Sequence, residues 1–179
     1  VSDPRFPISF ASQVPPGEDR ERRVCETCGF IDYANPRIVT GVLAHRDGKV
    51  LLCRRAIDPR KGFWTLPAGF LELGESVEEG AKREAHEEAC ADLEIETLLG
   101  MYSIPRIGQV QIFFRARLVS DPSPGPESLE VAMFGWDDTP WKELAFPSVR
   151  WALDHHRETE GRTGFPPFGN PPGTDKLTR

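Results

Sequence analysis

The chain predicts a single α/β or α+β layered domain, and three observations carry that reading. Apolar, β-branched segments with strand periodicity are interspersed with two segments of helical period. At 179 residues the chain is long enough for one well-buried domain and too short for two full-sized ones. Its 39% hydrophobic and 28% charged residues give the balance of a globular chain rather than a disordered one.

The elements follow in order. Residues 1–24 are polar, carry Pro15-Pro16-Gly17 and a charged run, and read as an extended lead-in rather than a packed element. Cys25-Glu26-Thr27-Cys28-Gly29 has the shape of one zinc knuckle. Residues 37–44 and 50–55 are apolar and β-branched around Asp47-Gly48, the signature of a hairpin. A loop with Arg60 and Lys61 precedes a short extended piece ending at Phe70. Residues 76–89 form the clearest helix: Ser76-Val77-Glu78-Glu79 is a capping box, and Val77, Ala81, Ala85 and Ala89 make a narrow small-residue stripe. Residues 93–104 and 110–119 read as strands, the second alternating through Val110, Ile112 and Phe114. A Pro-rich loop, a strand over 131–136 and a helix over 147–159 follow, and the Gly- and Pro-rich tail beyond reads as loosely held. The expected organisation is a lead-in over 1–34, the main domain over 35–159 and a tail over 160–179.

Composition excludes several classes. A net charge of −6 disfavours unspecific binding to nucleic acid or anionic membrane, both of which need a basic surface. No apolar run approaches the roughly 20 residues that span a bilayer. Four cysteines do not make a disulfide scaffold, and Cys53 and Cys90 read as reduced, packed thiols. No signal peptide is recognisable, so the cytoplasm is the expected compartment, with an organelle interior the alternative if a leader preceded Val1.

The informative charges lie on the capped helix. Glu84, Glu87 and Glu88 stand at i, i+3 and i+4 and project from one turn, where like charges repel by a few tenths of a kcal/mol, about 0.2–0.5 per pair. A solvated acidic face would tolerate that. A divalent cation would remove it, and oxygen-only ligands suit Mg²⁺ or Mn²⁺ rather than zinc.

The spacing around these acids is specific. From Gly69, five residues lead to Glu75, seven more to Arg83-Glu84, then Ala85, His86, Glu87-Glu88, Ala89, Cys90 and Ala91. This resembles the Nudix box at every fixed polar position, and the chain is similar to Nudix hydrolases with an N-terminal zinc-ribbon lead-in, a subgroup that includes ADP-ribose and FAD pyrophosphatases. Cys90 departs from the box, which has Gly there to supply a left-handed turn past the helix end. The resemblance implies an α/β/α sandwich with a mixed β-sheet between helices, and divalent-metal-dependent hydrolysis of a nucleoside diphosphate linked to another moiety, ADP-ribose or FAD first, with release of AMP and a phosphorylated product. It implies Glu84 and Glu88 as core metal ligands, Glu87 completing the set, the Ala68 carbonyl as a further ligand, and Arg83 paired with Glu75 to hold loop and helix in register. The alternatives are a triphosphate-cleaning hydrolase and a non-catalytic nucleotide-sensing module.

Outside the box, the resemblance implies Glu127 as the candidate for a further metal-directed acid, because its offset from the strand over 131–134 is similar to that of the metal-binding Glu in NADH-pyrophosphatase-like members, with Glu130 assigned to strand start or ion pairing. Arg54, Arg55, Arg60, Lys61 and Arg106 are candidates for phosphate contacts, and Trp64, Tyr102 and Phe70 for stacking on a base or flavin. His86, His155 and His156 read as helix-surface residues. Zinc is not expected, because residues 1–24 hold no cysteine pair to complete four ligands. The Ser-Gln-Pro-Trp-Pro-Phe-Pro signature of NADH-cleaving members is absent after the box, which places NADH lower. The expected partner is a small nucleotide, with a homodimer implied by the resemblance.

Overall fold

The computed structural model describes residues 9–174. Contacts divide the chain into one unit ending at Asn35 and a second beginning at Pro36.

The first unit corrects the reading of an unpacked lead-in. Strands β1 (Phe10–Gln13), β2 (Arg22–Cys25) and β3 (Ile31–Asp32) form a small antiparallel sheet in the order β1-β2-β3. Phe10 pairs with Cys25 in register, and Val24 and Cys25 are buried. The Arg23 guanidinium lies 4.8 Å from the centroid of the Phe10 ring, so a charge that reads as solvent-facing covers an aromatic.

In the second unit, β4 (Arg37–Arg46) and β5 (Lys49–Arg55) form the expected hairpin, with Asp47 and Gly48 both at positive φ, 53° and 70°. Short strands β6 (Trp64–Thr65) and β7 (Ala68–Phe70) pair with β5 and β4 respectively. Helix α1 (Val77–Ala89) precedes β8 (Leu93–Ile104), β9 (Gln109–Leu118), β10 (Ser128–Phe134) and helix α2 (Pro147–Glu158). The main sheet runs β10-β5-β4-β9-β8, parallel between β4 and β9 and antiparallel elsewhere, a mixed sheet as expected.

Strand alternation sends Val42, Ala44, Phe114, Ala116 and Leu118 to one face, against the Ala81, Ala85 and Ala89 stripe of α1. The methyl-sized stripe lets α1 lie close to the sheet. Leu43, Leu52, Phe113 and Tyr102 project to the other face, against Val149, Ala152 and Leu153 of α2. No helix among the described residues is long and apolar enough to cross a membrane.

Two further expectations change. The segment after α2 is docked rather than loose: Phe168 exchanges backbone hydrogen bonds with Leu99 and Met101 of β8, and its ring stacks on His155 with centroids 4.1 Å apart. Cys90 is exposed, not packed, whereas Cys53 is buried and its thiol is pushed up by burial. Cys90 adopts the left-handed conformation the box glycine would supply, φ 45° and ψ 34°, and the Ala91 amide donates to the Ala85 carbonyl at 3.2 Å.

Candidate active site

The capping box fixes where α1 starts: the Ser76 hydroxyl accepts from the Glu79 amide, and the Glu79 carboxylate accepts from the Ser76 amide at 2.7 Å. With its alanine stripe turned into the sheet, the helix presents Glu84 and Glu88 beside β7, both buried despite their charge. Glu84 lies against Gly69 so closely that a Cβ there would sit 2.3 Å from its carboxylate oxygen, which explains a glycine at this position. Glu88 accepts from the Ala68 amide at 3.2 Å.

Arg83 is the hub of the arrangement. It holds Glu75 through two hydrogen bonds of 2.8 and 3.0 Å, Glu84 at 2.7 Å and Glu87 at 3.1 Å, and donates to the Phe70 carbonyl at 3.0 Å. The Arg83 hydrogen bonds draw Glu75 down to about 2. Glu88 moves the other way, pushed up to about 8 by burial, with the charges of Glu84 and Glu127 adding and the Ala68 amide and Arg55 opposing. Burial also raises Glu84, against Arg83.

Glu127 reaches this cluster because its loop is fastened to the end of α1. The amides of Ser123 and Gly125 donate to the Ala89 and Glu88 carbonyls at 2.9 and 3.0 Å. A Cβ at Gly125 would fall 1.8 Å from the Glu87 carbonyl oxygen, so only glycine permits the contact. The Glu127 carbonyl then accepts from the Ala56 amide at 2.8 Å, tying the loop to the end of β5.

These acids line one wall of a cleft of about 690 Å³. Of the predicted cations, Arg55 lines it, with its guanidinium 5.2 Å from the Phe146 ring centroid and its Nε donating to the Pro59 carbonyl at 2.8 Å. Arg54, its neighbour in β5, points to the opposite face and is engaged by the Gly62 carbonyl and, at 3.6 Å, by Glu130. Arg106 lies in the short turn Pro105–Ile107, of which Ile107 and not Arg106 lines the cleft. Arg60 lies over the Phe63 ring, and Lys61 is exposed without lining the cleft.

The aromatic assignments divide. Phe70 lines the cleft and is 44% exposed. Trp64 and Tyr102 are corrected to core residues: Trp64 packs edge-on against Phe134, and Tyr102 is fully buried with its hydroxyl hydrogen-bonded to His155 Nδ1 at 2.8 Å. Neither presents a ring face to a ligand. His155 and His156 are likewise not surface residues; burial lowers both, His156 to about 4. Gln109, Gln111 and Phe146 escaped the sequence reading. The glutamines follow from period two, since Val110, Ile112 and Phe114 facing one side of β9 puts Gln109, Gln111 and Phe113 on the other.

A NUDIX domain model matches residues 34–152, and a Nudix N-terminal model matches residues 9–34. This chain belongs to the Nudix hydrolases. A Nudix hydrolase crystal structure from Nitrosomonas europaea superposes with a TM-score of 0.83 and 41% identity, covering 90% of this chain and 94% of that one. An ADP-ribose pyrophosphatase of Methanocaldococcus jannaschii is 32% identical over 72% of this chain and 78% of its own. An NAD-capped RNA hydrolase of Schizosaccharomyces pombe is 34% identical over 60% of this chain, which spans 24% of that longer protein. Nudix hydrolases act on small nucleotides and generally use divalent metals.

The chemistry of the donors fits such an ion, although no three of the described acids, cysteines or histidines are grouped closely enough to hold one as they stand. Glu84, Glu88 and Glu127 are hard oxygen donors, burial pushes the Glu88 and Glu84 carboxyls up, and Arg83 is the one cation hydrogen-bonded to Glu84 among the described residues. A divalent ion bound there would supply the positive charge that the cluster lacks.

Proposed function

We propose that this Nudix hydrolase cleaves, with Mg²⁺ or Mn²⁺, the diphosphate of a nucleoside diphosphate joined to a second moiety, ADP-ribose before FAD, releasing AMP and a phosphorylated product. The observation that carries the reading is the buried pair Glu84 and Glu88 at a cleft wall, joined there by Glu127. The M. jannaschii relative supports ADP-ribose as the first substrate to try.

Glu84, Glu88 and Glu127, with the Ala68 carbonyl, hold the ions, and Glu87 completes the set. When bound, the ions neutralise the diphosphate and lower the pKa of an attacking water. The protein's own work is positional. Arg83 and Glu75 lock the Gly69 loop to α1, so the ligands from β7 and from the helix keep one spacing. Arg55 stands by to meet phosphate oxygens, its side chain already ordered on Pro59 and Phe146. Phe70 and Phe146 add apolar surface to the cleft lining, which lowers the local dielectric and strengthens each charge contact.

The test is a panel of ADP-ribose, FAD, NADH, diadenosine polyphosphates and nucleoside triphosphates, each with Mg²⁺ and with Mn²⁺. AMP release from ADP-ribose or FAD with kcat/KM at least about tenfold above that for triphosphates is expected, a margin of about 1.4 kcal/mol. A triphosphate preference moves the protein to the triphosphate-cleaning class. Nucleotide binding without product under either metal makes it a sensing module.

A further inference from the structure

Helix α2 meets the cleft with its first turn: Phe146, Ser148 and Val149 all line it. The first amides of a helix have no intrahelical acceptor, and in α1 the capping box supplies one. In α2 the cap residue is Phe146, which has no side-chain oxygen, and no acid lies in the first turn. Pro147 has no amide hydrogen, and the Val149 amide turns back to the Phe146 carbonyl at 3.2 Å. The Ser148 amide makes no hydrogen bond among the described residues. Nor does the Ser148 hydroxyl, although the residue is only 3% exposed. The buried side-chain atoms sealed off without a partner among the described residues belong to Gln111, Ser128 and His156, and the Ser148 oxygen is not one of them. It opens instead on the cleft that Ser148 lines. A buried hydroxyl in that state has given up most of its water for nothing in return, a cost that a ligand would recover. Arg55 stands beside it, its guanidinium 5.2 Å from the Phe146 ring centroid. The Arg55 Nε is taken by the Pro59 carbonyl, and its two terminal nitrogens have no hydrogen-bond partner among the described residues.

We propose that the start of α2 is a phosphate subsite, where the Ser148 hydroxyl and amide, with Arg55, hold a phosphate group of the substrate and of one product. The inference rests on the reading of the cleft as a nucleotide pyrophosphatase site and adds a second anchor, independent of the metal-directed acids. A helix start carries a partial positive charge, and its free amide and hydroxyl donate where a phosphate only accepts. A guanidinium with two free nitrogens matches two phosphate oxygens. An uncharged sugar or base gains nothing from the helix field. AMP and ribose 5-phosphate carry the same group, so the product that docks here reports which end of the substrate lies against α2.

Titration calorimetry in EDTA, with AMP against adenosine and ribose 5-phosphate against ribose, reads the subsite without a metal. The wild type is expected to bind one of the two phosphates at least about tenfold more tightly than its uncharged counterpart, the scale of one hydrogen bond to a charged group. Ser148→Ala cuts that preference by about tenfold. Ser148→Asp abolishes it while holding or raising the melting temperature, because an acid in the first turn suits the helix dipole and repels phosphate. With Mg²⁺ and ADP-ribose, Ser148→Ala raises KM by more than it lowers kcat. No phosphate preference in the wild type, or a preference untouched in a folded Ser148→Asp, overturns the proposal. Phosphate preference lost in Ser148→Asp, with no hydrolysis by the wild type under either metal, upholds the subsite and removes the pyrophosphatase reading. Hydrolysis with KM unchanged in Ser148→Asp removes the subsite and leaves that reading standing.

Discussion

Both helices bury ionisable side chains against the sheet, and they do so to opposite effect. On the α2 face, Tyr102 and His155 hydrogen-bond to each other, and Phe168 closes over the imidazole. Both groups stay neutral and matched, so burial there buttresses the core. On the α1 face, Glu88 is almost as buried but receives one amide hydrogen bond and faces two further carboxylates. A polar group whose partners are complete belongs to the architecture. One that the fold leaves short of positive charge marks the place where something must bind.

Four substitutions, the last read as a pH slope, sharpen this contrast. Glu88→Gln is expected to lower kcat by about 10³-fold or more, the scale of losing a group that stabilises transition-state charge. The same variant holds or raises the melting temperature of the metal-free protein, because a neutral amide is cheaper to bury than a carboxylate. A variant of Glu88 with full turnover would erase the distinction between the faces. Tyr102→Phe leaves His155 Nδ1 unpartnered and is expected to cost about 1–3 kcal/mol by denaturant melt, with kcat/KM within about twofold. A large loss of kcat/KM with little loss of stability would make the α2 face functional after all. Cys90→Gly relieves the left-handed residue at the end of α1 and is expected to stabilise by about 1 kcal/mol, since L-residues pay about that in this conformation.

The smallest effect is a pH slope. His156 is held neutral by burial, with His45 and Arg115 pushing in the same direction and Glu160 and Glu96 opposing, so its folded value falls to about 4 from an ordinary 6.5. Stability from its neutral form is complete above pH 6.5 and is lost as pH falls towards 4. His156→Gln should flatten the melting temperature over that window, and an unchanged slope would assign the loss to other groups.

Local signals made α1 and the β4–β5 hairpin legible, because a capping box, a small-residue stripe and an Asp-Gly turn each act within a few residues. The acids of the box were legible from their spacing on one helical turn, and the pairing of Arg83 with Glu75 from the resemblance to the family. What failed was facing. Arg54 and Arg55 are equivalent in composition, and only the register of β5 decides which meets the cleft. Tyr102 and Trp64 have ring surface suited to a ligand, but Trp151 of α2 and Phe134 of β10 consume it, and that depends on contacts distant in sequence. The strands of the lead-in and the docked Phe168 went unseen because short polar strands and single anchoring rings leave no periodic trace.

The fastening of Gly125 onto the last turn of α1 separates two kinds of loop variation. Extra residues between Asp121 and Ser123 would be absorbed, because Ser120 is held upstream by Asp92 and Arg46 and the anchor downstream resets the path. A single residue added between Gly125 and Ser128 has no such freedom: it would displace Glu127 from its companions while the rest of the molecule kept its shape.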